Sequence, residues 1–198
     1  KKIEQLPYGE FMNKIKNEQG EVDPKILQAI KAGLKDGKPE DEKVSFQMLT
    51  PSVSEMVPTQ NEIDVEKSLL DPKHGPLTHA ADAEAFLNDE VKRPGGYVVT
   101  CSNGKYIIDG HHRWSAVLCC NRDAKISAME VGIKDPETAL KATQLSIAVA
   151  TNGEIPTQKV DRANLFDITE EELKQLVLKN VTDDVVEVFK KHGKANTK

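Results

Sequence analysis

Tyr97-Val98-Val99-Thr100-Cys101 and Lys105-Tyr106-Ile107-Ile108-Asp109 are two β-rich runs on either side of Ser102-Asn103-Gly104, and Gly110-His111-His112-Arg113-Trp114-Ser115-Ala116-Val117-Leu118-Cys119-Cys120 follows at once. Two strand-like runs around Asn-Gly predict a β-hairpin, because both residues tolerate the positive φ that a tight hairpin turn requires. After Gly110 the spacing becomes helical. Trp114, Val117 and Leu118 share one face with Ala116 and Cys120 beside it, and the helix is expected to end near Asn121. Lys125 to Val131 alternates with period two and predicts a strand. The unit is therefore hairpin, helix, strand, with Gly110 as its tight turn.

Working outward, Val44 to Leu49 reads as a short strand and Ser52 to Val57 as one helical turn closed by Pro58. An irregular polar segment runs to His79, and Ala80 to Asn88 reads as a helix. Asp135-Pro136 opens a longer helix to about Ala150, with Leu140, Leu145 and Val149 available for burial. Thr169-Glu170-Glu171-Glu172 is a capping box, and Thr182-Asp183-Asp184 caps a further helix reaching Lys191. Near the N-terminus, Ile26, Leu27, Ile30 and Leu34 form an amphipathic stripe with Asp23 as cap and Pro24 in the first turn. Gly37-Lys38-Pro39 reads as a linker. The expected organisation is an N-terminal helical extension over residues 1–43, an α+β domain over 44–150 and a C-terminal helical hairpin over 151–198.

At 198 residues the chain suits one sizeable core with extensions. Its 38% hydrophobic and 30% charged residues contain no apolar run near the roughly 20 residues that a membrane span needs. Lys1-Lys2-Ile3-Glu4 has neither an initiator Met nor the apolar core of a secretory signal, so the sequence is expected to begin inside a longer chain or after processing. A net charge of -5 disfavours a protein that grips nucleic acid over its whole surface. Cys101, Cys119 and Cys120 give neither a disulfide framework nor a zinc-knuckle spacing, which fits a reducing cytoplasm. Cys119 and Cys120, at the helix end, read as small buried hydrophobes, and Trp114 as a core anchor.

A strand running straight into a helix at Asp109-Gly110 exposes the first backbone N–H groups of that helix, where the macrodipole is positive. Anions bind such ends. Gly110 allows a tight turn and close approach, while His111, His112 and Arg113 crowd donors around it, Arg113 being suited to a bidentate grip on phosphate. The alternative is that Gly110 only makes a turn and Arg113 pairs with a surface carboxylate. His111 and His112, as neighbours on a helix, point about 100° apart and do not converge on one metal ion.

The segment Tyr106 to Ala116, with Gly110-His111-His112-Arg113 at its centre, resembles the signature turn of the ParB/sulfiredoxin superfamily. Sulfiredoxins carry Gly-Cys-His-Arg there, so the match holds at Gly110, His112 and Arg113, while His111 replaces the reactive cysteine and argues against sulfinic-acid reduction. ParB proteins carry Gly-Glu-Arg-Arg, matched at Gly110 and Arg113. The run Leu49 to Ile63, with Val57-Pro58-Thr59-Gln60-Asn61, is similar to the family's first motif. The resemblance covers about Val44 to Val131. It implies a small mixed sheet with helices packed on it, and a nucleotide, ATP or CTP, held by its phosphates at Gly110, His111, His112 and Arg113.

Hydrolysis or phosphoryl transfer on such a ligand would call for Mg²⁺ held by carboxylates and a base near the acceptor. Glu62, Asp109 and His111 are the candidate catalytic residues, with Glu62 as base, and Asp109 and Glu66 the candidate metal ligands. Glu62 and Glu66 read equally as a solvated loop face, and Asp109 as a residue that fixes the turn. Two other functions compete: a ParB-like DNA-binding protein or nuclease whose turn meets backbone phosphate, and an inactive interaction module. The acidic Glu170 to Glu172, Asp183, Asp184 and Glu187 disfavour a duplex along the C-terminal helices.

Overall fold

The computed structural model describes residues 44–91, 97–150 and 163–195, together with Pro24, Lys25 and Gln28. The expected N-terminal stripe (Ile26, Leu27, Ile30, Leu34) with its cap Asp23, and the Gly37–Pro39 linker, lie outside the described residues. In chain order the elements are β1 (Phe46–Leu49), β2 (Val57–Pro58), α1 (Val65–Leu69), α2 (Ala80–Leu87), β3 (Glu90–Val91), β4 (Val98–Cys101) and β5 (Tyr106–Asp109). They continue with α3 (His111–Cys120), β6 (Lys125–Ile126), β7 (Ala128–Val131), α4 (Pro136–Ala150), α5 (Glu170–Asn180) and α6 (Asp183–Lys191). No helix among the described residues is long and apolar enough to cross a membrane.

This is an α+β fold on a mixed five-stranded sheet of order β1-β7-β4-β5-β2. β4 and β5 pair antiparallel as the predicted hairpin, with Cys101 opposite Tyr106. Its loop spans residues 102–105, and Ser102, Asn103 and Gly104 all take positive φ (59°, 60° and 79°). The buried Glu130 of β7 completes that loop, its carboxylate accepting from Asn103 N (2.7 Å), Gly104 N (2.9 Å) and Thr100 Oγ1 (2.9 Å). β7 lies parallel to β4 and antiparallel to β1.

Three local expectations change. Val57-Pro58 does not close a helical turn: it is β2, an edge strand parallel to β5 with Pro58 opposite Ile107. Proline lacks the ladder donor and is tolerated at such an edge, where Val57 N still donates to Lys105 O at 2.7 Å. Lys125 to Val131 is not one strand but two. β6 pairs with β3 in a small parallel sheet, the chain steps across at Ser127, and β7 joins the main sheet. The segment before His79 contains α1, capped by Asp64 Oδ1 accepting from Lys67 N at 3.0 Å, with Val65, Ser68 and Leu69 buried on one face.

One face of the sheet packs on α2 and α3 through Val53, Met56, Phe86, Val98, Ile107, Trp114, Val117 and Ile126. The opposite face is covered by α4, with Ala139 fully buried against Cys101, Ile108 and Val131. Leu140 packs half-buried against this core, and Leu145 is half-buried further along α4. Asp135 caps α4 by accepting from Thr138 N and Oγ1 at 2.8 and 2.6 Å. The capping box of α5 forms as expected, with Glu172 N donating to Thr169 Oγ1 (3.2 Å) and Thr169 N to Glu172 Oε2 (2.8 Å). Val181 and Thr182 join α5 to α6, whose Val185 and Val186 are buried. A third core, Val65, Leu69 and Leu77, is shared with Leu165, Leu173, Leu176 and Val177. Leu165 N to Ile63 O (2.9 Å) and Thr182 N to Leu77 O (3.1 Å) tie the C-terminal helices to the loop that carries α1.

Trp114 is the anchor that the sequence led us to expect. It is 1% exposed, and its Nε1 donates to Val53 O at 2.9 Å, fastening α3 to the segment before β2. Cys101 is buried and its thiol pushed up to about 11 by burial, whereas Cys119 points outward on α3 and is exposed. Removing the indole leaves both a cavity and an unpaired carbonyl, so Trp114→Ala is expected to cost about 3–5 kcal/mol in urea denaturation. A loss under about 1 kcal/mol would show that the residue is not an anchor.

Candidate functional site

β5 ends at Asp109, and the chain turns at Gly110 with φ +90° before α3 begins. A Cβ at Gly110 would sit 3.2 Å from Val98 Cα in the neighbouring strand, so both the dihedral and the packing select glycine. The first bond of α3 is Trp114 N to Gly110 O at 3.0 Å. The N–H groups of His111, His112 and Arg113 precede it and form the positive end of the helix. A pocket of about 220 Å³ opens at this point, lined by Gln60, Asp109, Gly110, His111, His112 and Arg113.

The structure thus brings together all four residues of the expected phosphate turn, and adds Gln60 from the loop after β2. The link is His111. Its side chain is 2% exposed, and Nε2 accepts a hydrogen bond from Thr59 N at 3.1 Å, while Thr59 Oγ1 donates to Ile107 O. Accepting at Nε2 leaves that nitrogen unprotonated, so the neutral ring carries its proton on Nδ1. Nδ1 is buried and has no hydrogen-bond partner, and so is Oε1 of Gln60. Both atoms are closed to solvent in this structure.

Burial pushes the His111 imidazole down to about 3, with the neighbouring His112 adding to the effect. A ring held neutral in this way is a hydrogen-bond donor and a strut for the β2 loop. As a general acid or base near neutral pH, the catalytic role expected from sequence, it is poorly placed. His112 is half-buried and also lowered, chiefly by burial and then by Lys67, with Asp64 and Asp109 opposing. Arg113 is half-buried, and its Nη1 donates to Tyr97 O, which holds the guanidinium at the pocket wall.

α1 packs against α3 through a Ser68 Oγ to Ser115 Oγ contact of 2.6 Å, so the loop after the first motif does lie beside the turn. Of the three carboxylates singled out from sequence, Asp109 is exposed and lines the pocket. Glu62 is exposed and Glu66 half-buried, and neither lines it. Among the described residues no group of three or more His, Cys, Asp or Glu side chains is placed to hold a metal ion. Gln60 and Lys67 are the residues that sequence reading did not reach. The polar run Thr59-Gln60-Asn61 directly after a Pro-containing strand was the available signal for the first. No family model, no curated protein and no solved structure matches the chain.

His111 gives the site a pH signature. Its folded-state pKa of about 3 lies below the ordinary 6.5, so as pH falls the unfolded chain takes up the proton first. The stabilisation from the neutral ring is complete above pH 6.5 and is lost progressively as pH falls from 6.5 towards 3. Urea denaturation between pH 4 and 6 is expected to show wild type losing about 1.4 kcal/mol per pH unit more than His111→Gln. Equal slopes would mean that His111 titrates normally.

Proposed function

We propose that this protein binds a phosphate-bearing ligand, a nucleotide such as ATP or CTP, with its phosphate at the N-terminus of α3. The observation that carries the reading is the coincidence of one pocket with the Gly110–Arg113 turn at the N-terminus of α3. The positive helix end and the Arg113 guanidinium are donors, and an anion is the ligand that satisfies donors. A volume of about 220 Å³ suits a phosphate group, so the nucleoside would lie across the open mouth. The ParB/sulfiredoxin resemblance of Tyr106 to Ala116 supports the same ligand class, and a cytoplasmic setting fits the three free thiols.

Arg113 in this reading neutralises phosphate charge, and Gly110 lets the backbone approach it. Mg²⁺ arriving with a nucleotide keeps most of its ligands as water and phosphate oxygen and needs one or two protein carboxylates. Asp109, exposed at the pocket, is the residue that would supply one; the positions of Glu62 and Glu66 favour them less. Hydrolysis or phosphoryl transfer would then depend on Asp109 and on a base that binding alone does not identify.

Thermal denaturation with ATP, CTP or GTP, with and without Mg²⁺, tests the proposal. A ligand at a hundred times its Kd should stabilise the fold by about 2.7 kcal/mol, several degrees in Tm. Arg113→Ala is expected to abolish the shift, Asp109→Asn to remove its Mg²⁺-dependent part, and Cys101, Cys119 and Cys120 replaced by Ser to leave it intact. Identical responses of wild type and Arg113→Ala to every nucleotide would reject the reading. Mg²⁺-dependent cutting of DNA by nucleotide-free protein, lost in Arg113→Ala, would assign the turn to a nuclease instead.

A further inference from the structure

Asn103-Gly104 is a pair that can react with itself. The glycine amide nitrogen attacks the asparagine side-chain carbonyl carbon, and glycine has no Cβ to obstruct the approach. A new N–C bond closes a five-membered succinimide while the side-chain nitrogen leaves as ammonia. Water then opens the ring at one carbonyl or the other, giving aspartate or isoaspartate. For this the nitrogen must lose its hydrogen and swing onto Cγ. In the fold, Asn103 is exposed in the β4–β5 loop, whereas Gly104 is buried and its N–H donates to Glu130 Oε2 at 2.9 Å. Asn103 N donates to Oε1 of the same carboxylate at 2.7 Å, and Thr100 Oγ1 anchors Oε2 to β4 at 2.9 Å. One carboxylate thus grips two successive amides and fixes the peptide unit between them. Removing the Gly104 hydrogen would put a negative nitrogen beside that carboxylate, a like-charge contact that disfavours the reactive form. A carboxylate is also far too weak a base to take the hydrogen itself.

We propose that Asn103 is a deamidation site latched by Glu130: the pair is inert while the carboxylate holds the two amides and reacts with water when those bonds open. Isoaspartate adds a methylene to the backbone between the two amides that one carboxylate spans, so the latch does not re-form on that product. Deamidation is a one-way record of loop opening. Neither Asn103 nor Gly104 lines the pocket at Gly110, and the site is independent of the phosphate reading.

The full chain, native and unfolded in urea, is incubated in mildly alkaline buffer, and mass spectrometry of a digest follows deamidation at each Asn-Gly pair. A second pair, Asn152-Gly153, lies outside the described residues and serves as an internal reference. In urea the two pairs should react at similar rates. In the native chain Asn103 is expected to react at least about tenfold more slowly than in urea, because only the open fraction reacts. Glu130→Gln keeps the size of the side chain but removes its charge and one acceptor, and should move the Asn103 rate towards the urea value while leaving Asn152 unchanged. Thr100→Val is the milder companion, decisive where Glu130→Gln does not fold, and should raise the Asn103 rate about threefold by removing one donor to the carboxylate. Equal rates for Asn103 in native and unfolded wild type would overturn the latch. Protection that persists undiminished in the folded variants would overturn the role of Glu130 and assign the protection to the backbone conformation alone.

Discussion

At Gly110 the backbone turns through a left-handed conformation while pressed against Val98, and everything that defines the site follows from that constraint. The turn is short enough that α3 begins one residue after β5 ends. The amides at the helix start therefore sit directly at the end of β5 instead of being spent in a loop. The same geometry drives His111 inward to the Thr59 amide and leaves Arg113 beside Tyr97 O, while Trp114, one residue on, is committed to the core. A side chain at position 110 would have to shift either β4 or the helix start. Each shift separates groups that the pocket needs together.

The neutral state of His111 shapes what such a site can do. A charged imidazole would hold phosphate more strongly by Coulomb attraction, yet burial makes the charged form costly, and the Thr59 amide requires a lone pair on Nε2. Arg113, half-buried at the pocket, is the cation of the turn, while His111 stays neutral and bonded to the Thr59 amide.

Much of the architecture could be read from local chemistry. Asn103-Gly104 between β-rich runs, Gly110 before helical spacing, Asp135-Pro136 and the Thr169–Glu172 capping box each specify an element within a few residues, and each element formed. The departures are all cases in which distant contacts decide. Val57-Pro58 is a strand because Tyr106 and Ile107 accept it as an edge partner. Ser127 breaks a uniform alternation because one segment serves two sheets. α1, at five residues, is too short for periodicity to register. The turn residues of the site were legible for the same local reasons. Gln60 was not, since its place beside the turn depends on a Thr59–His111 bond spanning 52 residues. Glu62 follows in the same loop and Glu66 in α1, but their chemistry alone carried no information on which way they would face.

The loop between β4 and β5 holds three successive residues at positive φ, and the acceptor that satisfies its amides belongs to Glu130, 26 and 27 residues further along. A hairpin of this kind is not self-sufficient. Until β7 has docked, its turn amides can bond only water, and the two left-handed non-glycine residues lack compensation for their backbone cost. The closed form of the loop is therefore a property of the assembled sheet: its amides are satisfied only where Glu130 of β7 stands beside them, although the hairpin itself is the most local feature of the chain.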